Sequence, residues 1–231
     1  MPRREQATDI EMLQRLADPG GKDLVDIGCG SGALVRELTG LGARVVGVEI
    51  SEQQLATALA RDDGRGARYL VGAGQDLPLQ TASVDVAVFM RTLHHVPAAE
   101  LLTALSEARR VVRDGGLVYV AEPLTEGDFF ELVSLVEDEL EVRRAAQQAI
   151  DRASEVALQR ALTVDYDVHV RIADLEALRA RVVSVDPERA ATFDGRRAEI
   201  ADAFGRLGRA GDRDGERWFV APMRADVLRP V

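Results

Sequence analysis

The stretch Leu24-Val25-Asp26-Ile27-Gly28-Cys29-Gly30-Ser31-Gly32-Ala33-Leu34 constrains the fold of this chain more than any other. A short apolar run closes on an acid, glycines follow at alternate positions, and a helix-patterned segment begins behind them. Glycine has no Cβ, so it turns tightly and lets a ligand lie directly against the backbone. A strand that ends in such a loop, with a helix starting behind it, is how open α/β sheets build a nucleotide site.

The chain continues the same alternation. Apolar positions at 10, 13, 16 and 17 have helical spacing and end at Asp18-Pro19-Gly20-Gly21. Leu24 to Ile27 reads as the first strand and Ala33 to Thr39 as a helix. Arg44 to Ile50 is a nearly continuous apolar run, suited to a strand buried on both faces. Ser51 with Glu52 opens the next helix as a capping residue and a first-turn acid. Tyr69 to Val71 and Val84 to Met90 read as the third and fourth strands. Pro97 starts a helix with apolar residues at 101, 102, 105, 108, 111 and 112, and Leu117 to Ala121 is the fifth strand. Strand and helix alternate five times with short connections, the pattern of a parallel sheet covered by helices.

Beyond the fifth strand the pattern changes. From about Asp128 to Leu162 the spacing is helical almost throughout, which is too long for a plain strand-to-helix connection. This predicts a helical insertion over residues 126–165, serving either as a lid or as a packing and dimerisation arm. A short helix over 174–181, a short strand over Val182 to Val185, a helix over 196–207 and a closing strand over 218–228 complete the chain. The expected architecture is a single α/β domain over 1–231. It has a Rossmann-like, doubly wound, mostly parallel seven-stranded sheet, an antiparallel closing strand and a nucleotide-binding core at 22–122.

Composition narrows the ligand. The chain of 231 residues carries a formal net charge of −10, which disfavours nucleic acid and acidic membrane surfaces as partners. Lys22 is the only lysine. The single cysteine, Cys29, excludes an internal disulfide and a multi-cysteine metal site. No metal site is expected, because adjacent histidines at 94 and 95 cannot easily share one ion. Met1 to Asp9 is polar, without the apolar core of a signal peptide, and no apolar run reaches membrane-spanning length, so a cytoplasmic location is the expectation.

Gly28, Gly30 and Ala33 also fit the dinucleotide fingerprint, so an NAD-dependent oxidoreductase is one reading of the loop. Asp26 argues against it. A carboxylate beside the loop would repel a pyrophosphate, whereas it suits a cofactor that brings an ammonium group and no phosphate. S-adenosylmethionine is such a molecule.

Val25-Asp26-Ile27-Gly28-Cys29-Gly30-Ser31-Gly32 resembles the first motif of class I S-adenosylmethionine-dependent methyltransferases, and further similar motifs follow in the family's order. Glu49 closes the second strand. Leu77-Pro78-Leu79 precedes Ser83-Val84-Asp85-Val86-Ala87-Val88, Leu93-His94-His95-Val96 follows the fourth strand, and Arg113-Asp114-Gly115-Gly116-Leu117 precedes the fifth. The set is most similar to the small-molecule group called methyltransferase type 11 and covers about residues 22–122. The resemblance implies that Asp26, Gly28 and Gly30 face the methionine part of the cofactor, with Cys29 as a small residue that fits the loop. It implies that Glu49 holds the ribose and Ile50 packs on adenine. Ala73-Gly74 stands where the family has Asp-Ala, so backbone at Gly74 and the Gln75 amide are the expected adenine contacts. Met90 and Arg91 would line the methyl-donor end.

Methyl transfer is an in-line displacement in which the protein aligns nucleophile, methyl and sulfur and excludes water; a base is needed chiefly for a hydroxyl nucleophile. His95 and His169 are the candidate catalytic residues, and Glu122, Phe129 and Tyr166 the candidate substrate contacts. The acidic residues Asp128, Glu131, Glu137, Asp138 and Glu139 would favour a cationic or amine-bearing small-molecule acceptor if they line its pocket, and form a solvated helix face if they do not. Methyl transfer to a small-molecule N or O nucleophile is thus the leading expectation. A non-catalytic cofactor-binding regulator, with the insertion as its interface, is a further alternative.

Overall fold

The computed structural model describes residues 4–231; residues 1–3 of the polar N-terminal stretch lie outside it. In chain order the elements are β1 (Glu5–Gln6), α1 (Asp9–Ala17), β2 (Asp23–Ile27), α2 (Ala33–Gly40), β3 (Arg44–Glu49), α3 (Glu52–Ala60), β4 (Arg68–Val71) and β5 (Val84–Met90). Then come α4 (Leu101–Val111), β6 (Val112–Pro123), α5 (Asp128–Val133), α6 (Leu140–Asp151), β7 (Leu158–Ile172), α7 (Leu175–Val185), α8 (Arg189–Gly195), α9 (Arg197–Leu207), β8 (Arg209–Ala210) and β9 (Arg217–Pro230). None of the described helices is long and apolar enough to cross a membrane.

The chain forms two compact units. The larger comprises 9–122, 144–164 and 224–231, and the smaller comprises 123–143 and 165–223 with the described residues before Asp9.

In the larger unit the strand order is β7-β9-β6-β5-β2-β3-β4. The pairs β2–β3, β3–β4, β2–β5 and β5–β6 are all parallel, and β9 is the antiparallel closing strand. The chain runs outward from β2 through β3 to β4, then returns to the other side of β2 with β5 and β6. The reversal places the crevice of this α/β sheet beyond the C-terminal ends of β2 and β5.

The apolar patterning accounts for these layers. β5 buries Val84, Val86, Ala87, Val88 and Phe89, as a strand covered on both faces must. α4 turns Leu101, Ala104, Leu105, Ala108 and Val111 inward at helical spacing, and α6 adds Ala146, Ala149 and Ile150 to the same core. Each large side chain so buried contributes about 1.5–3 kcal/mol of transfer free energy. Ser51 caps α3 as its sequence position suggests, its hydroxyl accepting from Gln54 N at 3.3 Å. At the opposite end of the strands from the crevice, Arg113 binds both Asp23 and Asp85 at 2.8 Å. Arg44, and after it Arg113, holds the Asp23 carboxyl below its ordinary value.

The smaller unit packs α5, α7, α8 and α9 around Leu132, Leu178, Val182, Phe193, Ile200, Phe204 and Phe219. Phe204 and Phe219 meet at 5.4 Å between ring centroids. β1 joins β7 in parallel, Glu5 opposite Tyr166.

Two sequence expectations are corrected here. The stretch read as helical to Leu162 holds α5 and α6 but turns at Ala157, which adopts φ +56°, into the strand β7 from Leu158. The predicted strand over Val182–Val185 is instead the last turn of α7, because Leu178 and Val182, four residues apart, are buried on one helix face. Among the described residues the sheet has nine strands rather than the expected seven: β7 stands in place of that segment, and the two-residue strands β1 and β8 are added.

Candidate functional site

Every sequence-predicted cofactor residue lies at a C-terminal strand end of the larger unit. β2 delivers Asp26, β3 ends on Glu49 with Ile50 just after it, the turn after β4 holds Gly74 and Gln75, and β5 ends on Met90 with Arg91 following. Short connections follow from the sequence at each point, so the residues meet at one edge of the sheet.

The glycine loop is pinned to β3 by Gly28 N and Cys29 N, which both donate to Val48 O, at 2.8 and 3.0 Å. Gly28 adopts φ +74°, and a Cβ there would stand 2.9 Å from Thr92 Cγ2. Gly30 adopts φ +53° and a Cβ there would meet nothing within 4 Å. The first glycine is thus required by packing, whereas the second borders open space where a ligand can approach the backbone. Cys29 packs its sulfur over Gly47, and burial pushes its thiol well above the ordinary range, so it fills the loop without being a reactive group.

Two carboxylates flank this loop. Glu49 accepts from Gly30 N at 2.8 Å through Oε2 and from Ser51 N at 2.9 Å through Oε1. Each oxygen keeps a lone pair for a further donor. Asp26 is 2% exposed, and no hydrogen bond reaches its carboxylate among the described residues. Burial, and secondarily the Glu49 charge, push its pKa up to about 7. A buried acid without a donor is costly unless a cation or donor arrives.

Ile50 is 69% exposed immediately after Glu49, and Val71, opposite Glu49 on β4, is 53% exposed. These are an apolar surface beside two acceptors. Ala73 and Asp76 bridge across the turn that carries Gly74 and Gln75, both half-buried.

The donor set fits S-adenosylmethionine. Asp26 would take the ammonium, Glu49 the two ribose hydroxyls and Ile50 the adenine face, while the open side of Gly30 leaves room for the methionine chain. It fits a diphosphate poorly, because Asp26 and Glu49 would both repel it.

Residues 25–120, wholly within the larger unit, match the family model described as a methyltransferase domain. The chain belongs to the class I S-adenosylmethionine-dependent methyltransferases. It is 32% identical over 195 residues to the 27-O-demethylrifamycin SV methyltransferase of Amycolatopsis mediterranei, covering 78% of this chain and 66% of that one. It is 33% identical over 113 residues to a ubiquinone biosynthesis O-methyltransferase of Thiobacillus denitrificans, covering 48% of each. The chain thus spans from about half to just under two thirds of the length of these two relatives. A provisionally named methyltransferase of Bacillus halodurans shares the fold, with a TM-score of 0.66 at 18% identity over 97% of this chain and all of that one. S-adenosylmethionine is the cofactor of this methyltransferase family.

The remaining candidates fall out differently. Arg91 adopts φ +58° and turns its guanidinium to Asp9 at 2.8 Å. His95 is exposed in the turn after β5. Glu122, expected to face substrate, is 1% exposed; its Oε1 accepts from Thr92 N and Leu93 N at 3.1 and 2.8 Å, and its Oε2 meets His94 Nδ1. Both of its oxygens are therefore engaged within the fold. Thr92 and His94 belong to this site; sequence reasoning passed over Thr92 and placed His94 only in the motif after the fourth strand. The one available signal was an acid in the otherwise apolar strand Val118 to Ala121, which needs a buried partner.

Phe129, Tyr166 and His169 lie in the smaller unit. Phe129 borders a cavity of about 120 Å³ with Val133, Val136 and Val182, and the Arg181 guanidinium lies 5.6 Å from its ring centroid. Tyr166 is fully buried on β7. His169 is exposed, edge-on to Trp218 at 6.4 Å. The carboxylates of the acidic run each have a local partner. Glu131 pairs with Arg206, Glu137 and Glu139 with Arg189, and Glu139 also with Arg143. Asp128 accepts from Val220 N, and Asp138 from Leu140 N.

Proposed function

We propose that this chain transfers the methyl group of S-adenosylmethionine to a hydroxyl or amine of a small molecule. The observation that carries the reading is the buried Asp26 carboxylate at the C-terminal end of β2, just before the glycine loop, which no hydrogen-bond donor reaches among the described residues. Both relatives cited above are named for methylation at oxygen, which favours a hydroxyl nucleophile.

The bound cofactor supplies a methyl on a sulfonium, a leaving group that departs as a neutral thioether. The residues of this chain bind and align. Asp26 would hold the cofactor's ammonium and Glu49 its ribose hydroxyls, with the loop backbone at Gly30 left open to its methionine part. His95, exposed beside Thr92, takes the proton from a hydroxyl acceptor. With an unprotonated amine that step is not needed.

Transfer of label from methyl-tritiated S-adenosylmethionine to a panel of phenols, alcohols and amines tests the reading. Labelled product supports it. Tight cofactor binding with no transfer to any member would point instead to a non-catalytic cofactor-binding protein.

A further inference from the structure

The Glu122 carboxylate gathers three donors from three successive residues, Thr92 N, Leu93 N and His94 Nδ1. Donors of that number and closeness on one buried acid close the chain after β5 into a single tight turn, since no solvent is available to replace any of them. The turn begins at Arg91, whose left-handed backbone is held from outside by Arg91 N donating to Ala121 O at 2.7 Å and by the ion pair with Asp9.

Within that turn Thr92 faces the glycine loop with both branches. Its hydroxyl donates to Ile27 O at 2.8 Å, and its methyl occupies the space beside Gly28 that a Cβ would need. The Ile27 carbonyl belongs to the peptide that enters Gly28, so Thr92 sets the orientation at which the loop leaves β2. Asp26 precedes that peptide by one residue. Glu122 therefore reaches the loop through one intermediary.

We infer that Glu122, with His94, is a positioning residue that holds Thr92 against Ile27 and Gly28 and thereby sets the affinity of the loop for cofactor. The inference rests on the cofactor reading above. It assigns Glu122 no contact with the methyl acceptor. It also explains why an acid stands at the end of an apolar strand when its oxygens are turned inward.

Calorimetric titration of S-adenosylhomocysteine, with a thermal melt of each protein, tests it on wild type, Thr92→Val, Thr92→Ser, Glu122→Gln, Glu122→Ala and the double variant Glu122→Ala/Thr92→Val. Thr92→Val and Glu122→Ala are expected to weaken binding about tenfold or more, while Thr92→Ser, which keeps the hydroxyl, stays within about threefold of wild type. Because Glu122 acts through Thr92, the double variant should bind about as weakly as the weaker single variant. If Glu122→Ala does not fold, Glu122→Gln replaces it in the cycle. Wild-type affinity in folded Thr92→Val and Glu122→Ala (or Glu122→Gln where it replaces it), or losses that multiply in the double variant, would overturn the inference. Failure of the wild type itself to bind would overturn the cofactor reading instead.

Discussion

Asp26 and Glu49 are two buried acids that flank the glycine loop, and among the described residues only Glu49 has hydrogen-bond donors. Their inequality is the central feature of the site. Glu49 is held by two backbone amides, whereas Asp26, with a pKa pushed up to about 7 by burial and then by the Glu49 charge, waits for a cation.

Proton release on binding follows. Below pH 7 Asp26 is largely protonated in the free protein, and an ammonium ligand favours its ionised form. S-adenosylhomocysteine should therefore bind more tightly as pH rises towards 7 and level off above it. At pH 6 close to one proton should be released per ligand. Calorimetry at pH 6 in buffers of different ionisation enthalpy reads this directly; at pH 8.5 the buffer dependence should vanish.

Replacing Asp26 by Asn should move stability and affinity in opposite directions. A raised folded-state pKa in an acid means that stability falls as pH rises from about 4 to 7, by up to ~4 kcal/mol in the ligand-free protein. The Asn variant escapes that loss and should melt higher than wild type at pH 8. It also lacks the charge for the ammonium, and its affinity for S-adenosylhomocysteine should drop about a hundredfold, ~3 kcal/mol. Melting curves across pH and a titration at pH 8 check the two halves.

Gly28→Ala should be strongly destabilising. The left-handed backbone costs a Cβ-bearing residue ~1–2 kcal/mol, and the contact with Thr92 Cγ2 at 2.9 Å adds to it. Urea unfolding should show a total loss of roughly 2–4 kcal/mol. Adding Thr92→Ser should recover part of the steric cost, since Thr92 Cβ stays 3.0 Å away, and leave the backbone cost.

Ile50→Ala should leave the melting temperature unchanged, because the side chain is 69% exposed. The affinity for S-adenosylhomocysteine should fall about tenfold, through loss of apolar contact with adenine worth ~1.4 kcal/mol.

Much of the site was legible because it is local. The strand, loop and helix from Leu24 to Thr39 carry their own signals, and Glu49 is recognisable from its place at the end of β3. The long-range parts were not. Glu122 and His94 stand 28 residues apart, and nothing short of the fold shows that they meet. β7 was hidden because the spacing at 146, 149, 150, 153 and 157 continues smoothly into it, and Ala157 reverses the chain in a left-handed conformation that alanine gives no hint of. In Val182-Val183-Ser184-Val185 the β-branched residues suggest a strand, and burial of Leu178 with Val182 overrides them.

Titration of the wild-type chain with S-adenosylhomocysteine, run beside an identical titration with NADH at pH 8, tests the assignment of the Asp26 site most directly. Saturable binding of S-adenosylhomocysteine at micromolar concentration, lost in Asp26→Asn, with no heat from NADH, is the expected result. Binding of NADH, or affinity for S-adenosylhomocysteine that survives Asp26→Asn unchanged, would contradict it.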